Sequence, residues 1–246
     1  MNKHDDFGER MKEYEFASRT HLPRRLPVLI RIDGCHFHSF TRGMDKPFDF
    51  GLIQSFWETC CYLGQMIMGC QLIYHQSDEI SLLVTNDHKL STESWFKNNV
   101  QKIVSVSASL ATAKFNEAIK KHHPKTPLAT FDSRAWVLPS DEVANYFIWR
   151  QQDATKNSIS MLAQTQFTQS ELTGLNQSNL QDKLLIEKEI NWNDLPIWQK
   201  RGICIRRVSY QKGNAERTRW EVDHETPIFS KEREYIHQFI SKNPTN

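Results

Sequence analysis

The order in which the apolar pattern changes between residues 27 and 138 constrains this chain more than any other feature. Pro27 to Asp33 carries Val28-Leu29-Ile30 and Ile32, stops at Gly34, and reads as a buried strand. Ile53, Trp57, Cys60, Gly64 and Ile67 then recur at helical spacing, with Gly69 as the stop. Gln71–Gln76 and Glu79–Thr85 read as two strands, the second with Ile80, Leu82 and Val84 on one face. Only Ser77-Asp78 separates them, which predicts a tight hairpin. Helical spacing returns over 92–121 through Phe96, Val100, Ile103, Ser107, Leu110, Ala111 and Phe115, and a strand over 129–138 closes the series. The order β-α-β-β-α-β is the split βαβ (ferredoxin-like) arrangement: an α+β fold with a small antiparallel sheet and two helices on one face.

The flanking segments are simpler. Phe7, Met11, Tyr14 and Phe16 predict an amphipathic helix within residues 1–20. Beyond Pro139, with Ser140 as N-cap, the chain reads as mostly helical to residue 190. A hairpin around Gly213-Asn214 follows, from strands at 203–211 and 219–222, and then a final helix over 231–242. No linker rich in Gly, Pro or Ser divides residues 1–139, the candidate catalytic core, from 140–246, so the two are expected to pack as one unit. Lys plus Arg number 31 against 29 Asp plus Glu, which excludes a polycation and confines any nucleic-acid contact to a local basic face. The five cysteines form no C-x-x-C pair, so free thiols in a reducing, cytoplasmic setting are expected rather than a zinc site. The first residues lack the apolar stretch of a signal peptide, and no apolar run approaches the ~18 residues of a membrane span.

In a split βαβ sheet the first strand lies beside the third. Its end at Asp33 and the hairpin holding Asp78 and Glu79 therefore fall on one sheet edge. Like charges gathered there repel unless a cation neutralises them. Hard oxygen donors without thiol or imidazole point to Mg²⁺ or Mn²⁺. Two such ions, roughly 3.5–4 Å apart, are the arrangement that clamps the attacking and leaving oxygens of phosphoryl transfer. Glu79 could face this site or solvent, since a two-residue period leaves both open. The turn Gly34-Cys35-His36-Phe37-His38 follows the strand directly, and its backbone N–H groups can cradle a triphosphate. His36 and His38 are within reach of a nucleotide or are simply loop residues; Cys35 has no base beside it and reads as structural. Arg217 and Arg219, near the hairpin tip, are the preferred nucleic-acid contacts, electrostatic rather than sequence-reading. Trp192 and Trp198 read as core or interface residues, and His122-His123-Pro124 as a helix end.

Two stretches, Arg31-Ile32-Asp33-Gly34-Cys35-His36-Phe37-His38-Ser39-Phe40-Thr41 and Tyr74-His75-Gln76-Ser77-Asp78-Glu79, resemble the signatures of the tRNA-His guanylyltransferase superfamily. Its members add nucleotides to RNA 5′ ends in the 3′-to-5′ direction. Weaker matches at Trp95-Phe96-Lys97, Phe131-Asp132-Ser133-Arg134 and Trp149-Arg150-Gln151 extend the likeness over most of the first 160 residues. The resemblance implies a polymerase-palm-like core in which Asp33, Asp78 and the Gly34 carbonyl bind two Mg²⁺ ions, with Glu79 in support. It implies that the Gly34–Phe37 backbone, Lys46, Ser77 and Lys102 hold a triphosphate and that His38 contacts the incoming nucleotide. Arg134, Arg150 and Asn157 then become candidates for the RNA side. ATP and other nucleoside triphosphates would be substrates, tRNA the partner, and the assembly a homo-tetramer.

The chain departs from the eukaryotic pattern in two places. Thr155-Lys156-Asn157-Ser158-Ile159-Ser160 stands where eukaryotic members carry His-Ile-Asn-Asn-Leu-Tyr, and Asn98 and Asn99 replace two basic positions. The first departure resembles the guanylyltransferase-like branch, which favours template-dependent repair of truncated tRNA 5′ ends. Addition of G to tRNA-His is the alternative. A class III-like nucleotide cyclase, needing no RNA, and a non-catalytic RNA-binding protein are the rival readings.

Overall fold

In the computed structural model, which describes residues 6–240 apart from 88, 90 and 214, the predicted strand–helix order is present. The first half runs α1 (Asp6–Ala17), β1 (Val28–Gly34), α2 (Phe37–Phe40), α3 (Phe50–Met66), β2 (Cys70–Gln76), β3 (Glu79–Val84), α4 (Val100–Ile119) and β4 (Phe131–Val137). The second half runs α5 (Ser140–Gln166), α6 (Gln169–Leu172), α7 (Gln177–Lys188), α8 (Ile197–Arg201), β5 (Ile203–Lys212), β6 (Ala215–Asp223) and α9 (Glu234–His237). The parts of the terminal helices expected at 1–5 and 241–242, and Asn214 at the hairpin tip, lie outside the described residues.

The strands form one antiparallel sheet in the order β4-β1-β3-β2-β5-β6. Its first four strands are the split βαβ unit, and the β5–β6 hairpin extends the free edge of β2. Alternation sends Val28, Ile30, Ile32, Ile80, Leu82 and Val84 toward α3 and α4, where Phe56, Leu63 and Phe115 complete the larger core. The expected pair of helices thus shares one face. The opposite face carries Leu29, Leu72, Tyr74 and Leu83, covered by Val143, Ala144 and Phe147 of α5 with Phe229 and Ile236. Stretches buried at every residue, such as Ile80-Ser81-Leu82-Leu83-Val84, demand cover on both faces, and α5 supplies the second.

At 27 residues, α5 is about 40 Å long and outruns the sheet. Its far half packs Ile159, Leu162 and Ala163 against Leu180 and Leu184 of α7. One rigid helix therefore touches both the sheet and the helical region. No helix among the described residues is long and apolar enough to cross a membrane.

Three elements differ from expectation. The helix predicted from residue 92 starts only at Val100, because Phe96, Lys97 and Asn98 adopt left-handed φ values of 50°, 53° and 60°. Asn98 is buried there and donates from Nδ2 to the Leu22 and Pro23 carbonyls, at 3.3 and 3.0 Å. The Asn99 side chain caps α4 by accepting from the Lys102 N–H at 3.0 Å. β6 starts at Ala215 rather than 219, since pairing with β5 carries Ala215 and Glu216 into the ladder despite their weak strand preference, and Arg217 and Thr218 with them. The last helix shrinks to Glu234–His237, in which only Ile236 is buried, too little packing to sustain a longer one.

Candidate active site

Strand pairing assembles the carboxylates. Asp33 lies opposite Glu79 across β1–β3 and opposite Asp132 across β1–β4. The Gly34 N–H donates to the Asp78 carbonyl at 3.1 Å, stapling the β2–β3 turn to the end of β1. Burial, and then the charge of Asp33, push the Asp78 carboxyl above its usual range. Arg134 offers partial compensation: its Nη2 stands 3.9 Å from Asp33 Oδ2 and 3.7 Å from Asp132 Oδ1. Asp132 was not among the predicted site residues. The parity of the two strands places it beside Asp33, a register that sequence spacing alone does not reveal.

Glu79 turns inward. It is 6% exposed and accepts two hydrogen bonds from Arg150, Nε to Oε1 at 2.8 Å and Nη2 to Oε2 at 2.7 Å. Arg150 Nη2 also reaches Asp153 Oδ2 at 3.1 Å, and the guanidinium stacks on Trp149 at 4.5 Å. Buried and fully engaged, Arg150 does not present the RNA-facing cation expected of it. It fastens α5 to the β3 end of the site, and Glu79 acts as its counter-ion.

Beside Asp78 opens a cleft of about 550 Å³. α2 supplies His38, the loop before α3 supplies Met44, Lys46 and Phe48, the hairpin turn supplies Gln76, Ser77 and Asp78, and α5 supplies Asn157, Met161 and Gln164. Trp198, Gln199 and Gly202 close the far end. His38, Lys46, Ser77, Asp78 and Asn157 are therefore brought together, and Asn157 belongs to the cleft. Asp33, Gly34, Cys35, His36, Lys102, Arg134, Arg217 and Arg219 do not line it. Lys102 Nζ sits 5.9 Å from the Phe96 ring instead. Motif reading missed the wall made by Met161, Gln164, Trp198 and Gln199, which α5 and α8 deliver from outside the signature stretches. Trp198 packs on the core as expected, edge-on to Phe48 at 5.8 Å and Trp57 at 6.1 Å.

Two local structures hold the cleft's near wall. Asp49 caps α3 through the Leu52 N–H at 2.8 Å, accepts from the Asp45 N–H at 3.2 Å, and contacts His123 Nε2 at 2.9 Å. Burial alone would raise the Asp49 pKa, but these hydrogen bonds and the His123 charge outweigh it and hold it below its usual value. The His122-His123 segment is thus a clasp on the loop carrying Lys46. In the turn after β1, a Cβ on Gly34 would stand 2.1 Å from the Phe37 ring, so the turn closes only around glycine. Phe37 itself is a core residue among Phe40, Phe56, Phe115 and Phe131.

The predicted phosphate cradle is shorter than Gly34–Phe37. The Gly34 N–H is bound to Asp78 and the Cys35 N–H to the Thr130 carbonyl at 2.9 Å, leaving the amides that start α2. The departures from the family pattern also acquire structural reasons. Thr155 Oγ1 donates to the Gln151 carbonyl of its own helix at 2.9 Å, and Asn98 and Asn99 perform the turn and cap roles described above. All five cysteines are free thiols, and burial raises Cys60, Cys61, Cys70 and Cys204 far from reactive thiolates.

Among the described residues no group of three or more His, Cys, Asp or Glu side chains is arranged to hold a metal ion. Asp33, Asp78 and the backbone carbonyl of Gly34 are hard-oxygen donors of the kind Mg²⁺ uses when substrate phosphates complete its shell. A cation held there would offset both the burial and the Asp33 charge that raise the Asp78 carboxyl.

The sequence profile described as tRNAHis guanylyltransferase matches residues 8–139. The chain belongs to the tRNAHis guanylyltransferase family. Among solved structures, a bacterial tRNA(His) guanylyltransferase (Thg1)-like protein in complex with ATP is 63% identical, with a TM-score of 0.90 covering 97% of this chain and 100% of that one. A complex of such a bacterial protein with GTP gives 61% identity and a TM-score of 0.87, with the same coverage. The tRNA(His) guanylyltransferase of Eremothecium gossypii is 28% identical over 222 residues, 81% of this chain and 89% of its own. The expected family and α+β fold are borne out. Members of the family are nucleotidyltransferases, and membership sets aside the cyclase and non-catalytic readings.

Proposed function

We propose that this nucleotidyltransferase activates the 5′ end of tRNA with ATP and then adds nucleotides under template control, repairing 5′-truncated tRNA. The observation that carries the reading is the convergence of Lys46, Ser77, Asp78 and Asn157 on one cleft beside the Asp33–Asp78 edge. Likeness to ATP- and GTP-bound relatives supports nucleoside triphosphates as its occupants. The stretch at 155–160, which resembles the guanylyltransferase-like branch, supports repair over obligatory G addition.

In the first step the 5′ monophosphate of the RNA attacks the α-phosphate of ATP, and pyrophosphate leaves. In the second, the 3′ hydroxyl of an incoming nucleoside triphosphate attacks the activated 5′ phosphate, and AMP leaves. Lys46 and Ser77 bind and orient the triphosphate, and Asn157 does so from the α5 side. His38 contacts the incoming nucleotide. Asp33, Asp78 and the Gly34 carbonyl would hold Mg²⁺, which neutralises phosphate charge and lowers the pKa of the attacking hydroxyl when bound. Arg217 and Arg219 stand exposed on the β5–β6 ribbon, Arg219 over the Tyr210 ring at 4.9 Å, and bind tRNA phosphates. A cytoplasmic homo-tetramer is the proposed working form.

The test is a gel assay on 5′-monophosphorylated tRNA lacking its first nucleotide, with ATP, the other nucleoside triphosphates and Mg²⁺. A 5′-triphosphorylated version bypasses activation. Extension that halts once the acceptor stem is fully paired is the expected result. Preferential untemplated G addition to intact tRNA-His would replace repair with maturation.

A further inference from the structure

We propose that His75 is a positioning residue whose ring holds the Ser77–Asp78 peptide of the active-site turn in its working orientation. The inference rests on the site reading above.

His75 lies on β2 facing α3, opposite Ile80 of β3 and Ile203 of β5. It is 2% exposed, and its ring stacks on Phe56 at 4.7 Å and 24°. Its Nε2 lies 2.9 Å from the Ser77 carbonyl oxygen. A carbonyl only accepts, so the ring donates and its proton sits on Nε2. Burial, which lowers the His75 pKa to about 4, is consistent with that neutral form.

Two residues on, Ser77 holds a left-handed φ of 51°. Residues other than glycine keep that conformation only when their surroundings over-determine it. Tethers on both sides of the Ser77–Asp78 peptide do so here: the His75 ring on the Ser77 carbonyl, and the Gly34 N–H on the Asp78 carbonyl at 3.1 Å. In a trans peptide the carbonyl and the following N–H lie in one plane and point in opposite directions across the C–N bond. Drawing the Ser77 oxygen toward the buried ring therefore turns the Asp78 N–H away from it. That plane and the Gly34 tether on the Asp78 carbonyl together set the direction in which the Asp78 side chain leaves the backbone. His75 touches no substrate in this scheme and acts through the turn.

The alternative is an imidazole kept only for stacking. Three substitutions separate the two. His75→Phe keeps the flat ring and removes the donor. In His75→Gln an amide N–H reaches about as far as Nε2, whereas in His75→Asn it reaches only as far as Nδ1. The assay is nucleotide addition to 5′-triphosphorylated, 5′-truncated tRNA, with kcat and KM measured separately.

Positioning predicts that His75→Phe and His75→Asn lower kcat about tenfold or more while KM for the nucleotide moves less than about twofold. His75→Gln should recover to within about threefold of the unsubstituted protein. Full activity in His75→Phe overturns the inference, as does equal loss in the Gln and Asn variants. A separate readout, the slowly exchanging Nε2–H of His75 in ¹⁵N NMR, reports the tether without any RNA. Absence of that protonated Nε2 overturns the inference even if the enzyme is active. An unsubstituted protein that retains the signal but adds no nucleotide refutes the functional reading instead.

Discussion

Removing Arg150 should destabilise the protein more than neutralising Glu79, although the two form one pair. Both side chains are 8% exposed, and two hydrogen bonds of 2.8 and 2.7 Å join them. Arg150→Met leaves the Glu79 carboxylate buried with only the Ser81 hydroxyl, at 3.3 Å. Loss of one partner from a buried pair costs about 3–5 kcal/mol, and this case belongs near the upper end. Glu79→Gln leaves the guanidinium with Asp153 at 3.1 Å, a carboxylate 41% exposed, so about 3 kcal/mol is expected. At roughly 2–4 °C per kcal/mol for a chain of this size, Arg150→Met should lower Tm by about 10–20 °C. The double variant should fall short of the sum by about 2 kcal/mol, because the second substitution removes a group already orphaned. Urea unfolding followed by tryptophan fluorescence measures all three, with an unchanged slope as the two-state check. Neither residue binds metal in this account, so the Mg²⁺ concentration for half-maximal activity of Glu79→Gln should stay within about threefold. Additive losses, a larger loss for Glu79→Gln, or a large shift in Mg²⁺ requirement would refute the reasoning.

Asp78→Asn should abolish nucleotide addition yet raise Tm at pH 7. A carboxyl whose folded pKa is raised opposes folding once ionised, and the gain should fade below the ordinary carboxylate range, where both forms are neutral. Asp49 is the opposite case: its lowered folded pKa contributes stability that is present at neutral pH and lost as pH falls below the usual Asp value. Asp49→Ala should therefore cost about 1–2 kcal/mol at pH 7 and much less in acid, with faster hydrogen exchange across residues 41–49. The paired substitutions Arg217→Ala and Arg219→Ala should weaken tRNA binding and reduce the salt dependence of log K by about two, leaving ATP binding unchanged. An unaltered salt slope would remove the ribbon from the RNA-binding surface.

The sheet and the Asp33–Asp78 edge are legible from sequence because the order of apolar periods admits few topologies. Glu79 is not. Alternation gives it a face, but both faces of β3 are buried, and the cation it meets lies 71 residues away on α5. Asp132 escapes for a related reason, since its place beside Asp33 depends on the β1–β4 register. The helix at 92–121 misled because Phe96 keeps the helical spacing while its backbone turns left-handed to bring Asn98 under Leu22 and Pro23. The far wall of the cleft comes from Met161, Gln164 and Trp198, on elements whose placement follows from α5 outrunning the sheet. Signature stretches mark where chemistry sits and say little about what closes around it.

The central claim is that one pair of carboxylates, Asp33 and Asp78, serves both activation and addition. Asp33→Ala and Asp78→Ala can be assayed in parallel for transfer of label from [α-³²P]ATP to 5′-monophosphorylated tRNA and for nucleotide addition to 5′-triphosphorylated tRNA, with urea unfolding as the control for folding. The account predicts that each variant loses both steps while its unfolding midpoint is not lowered. A folded variant that retains either step would contradict it.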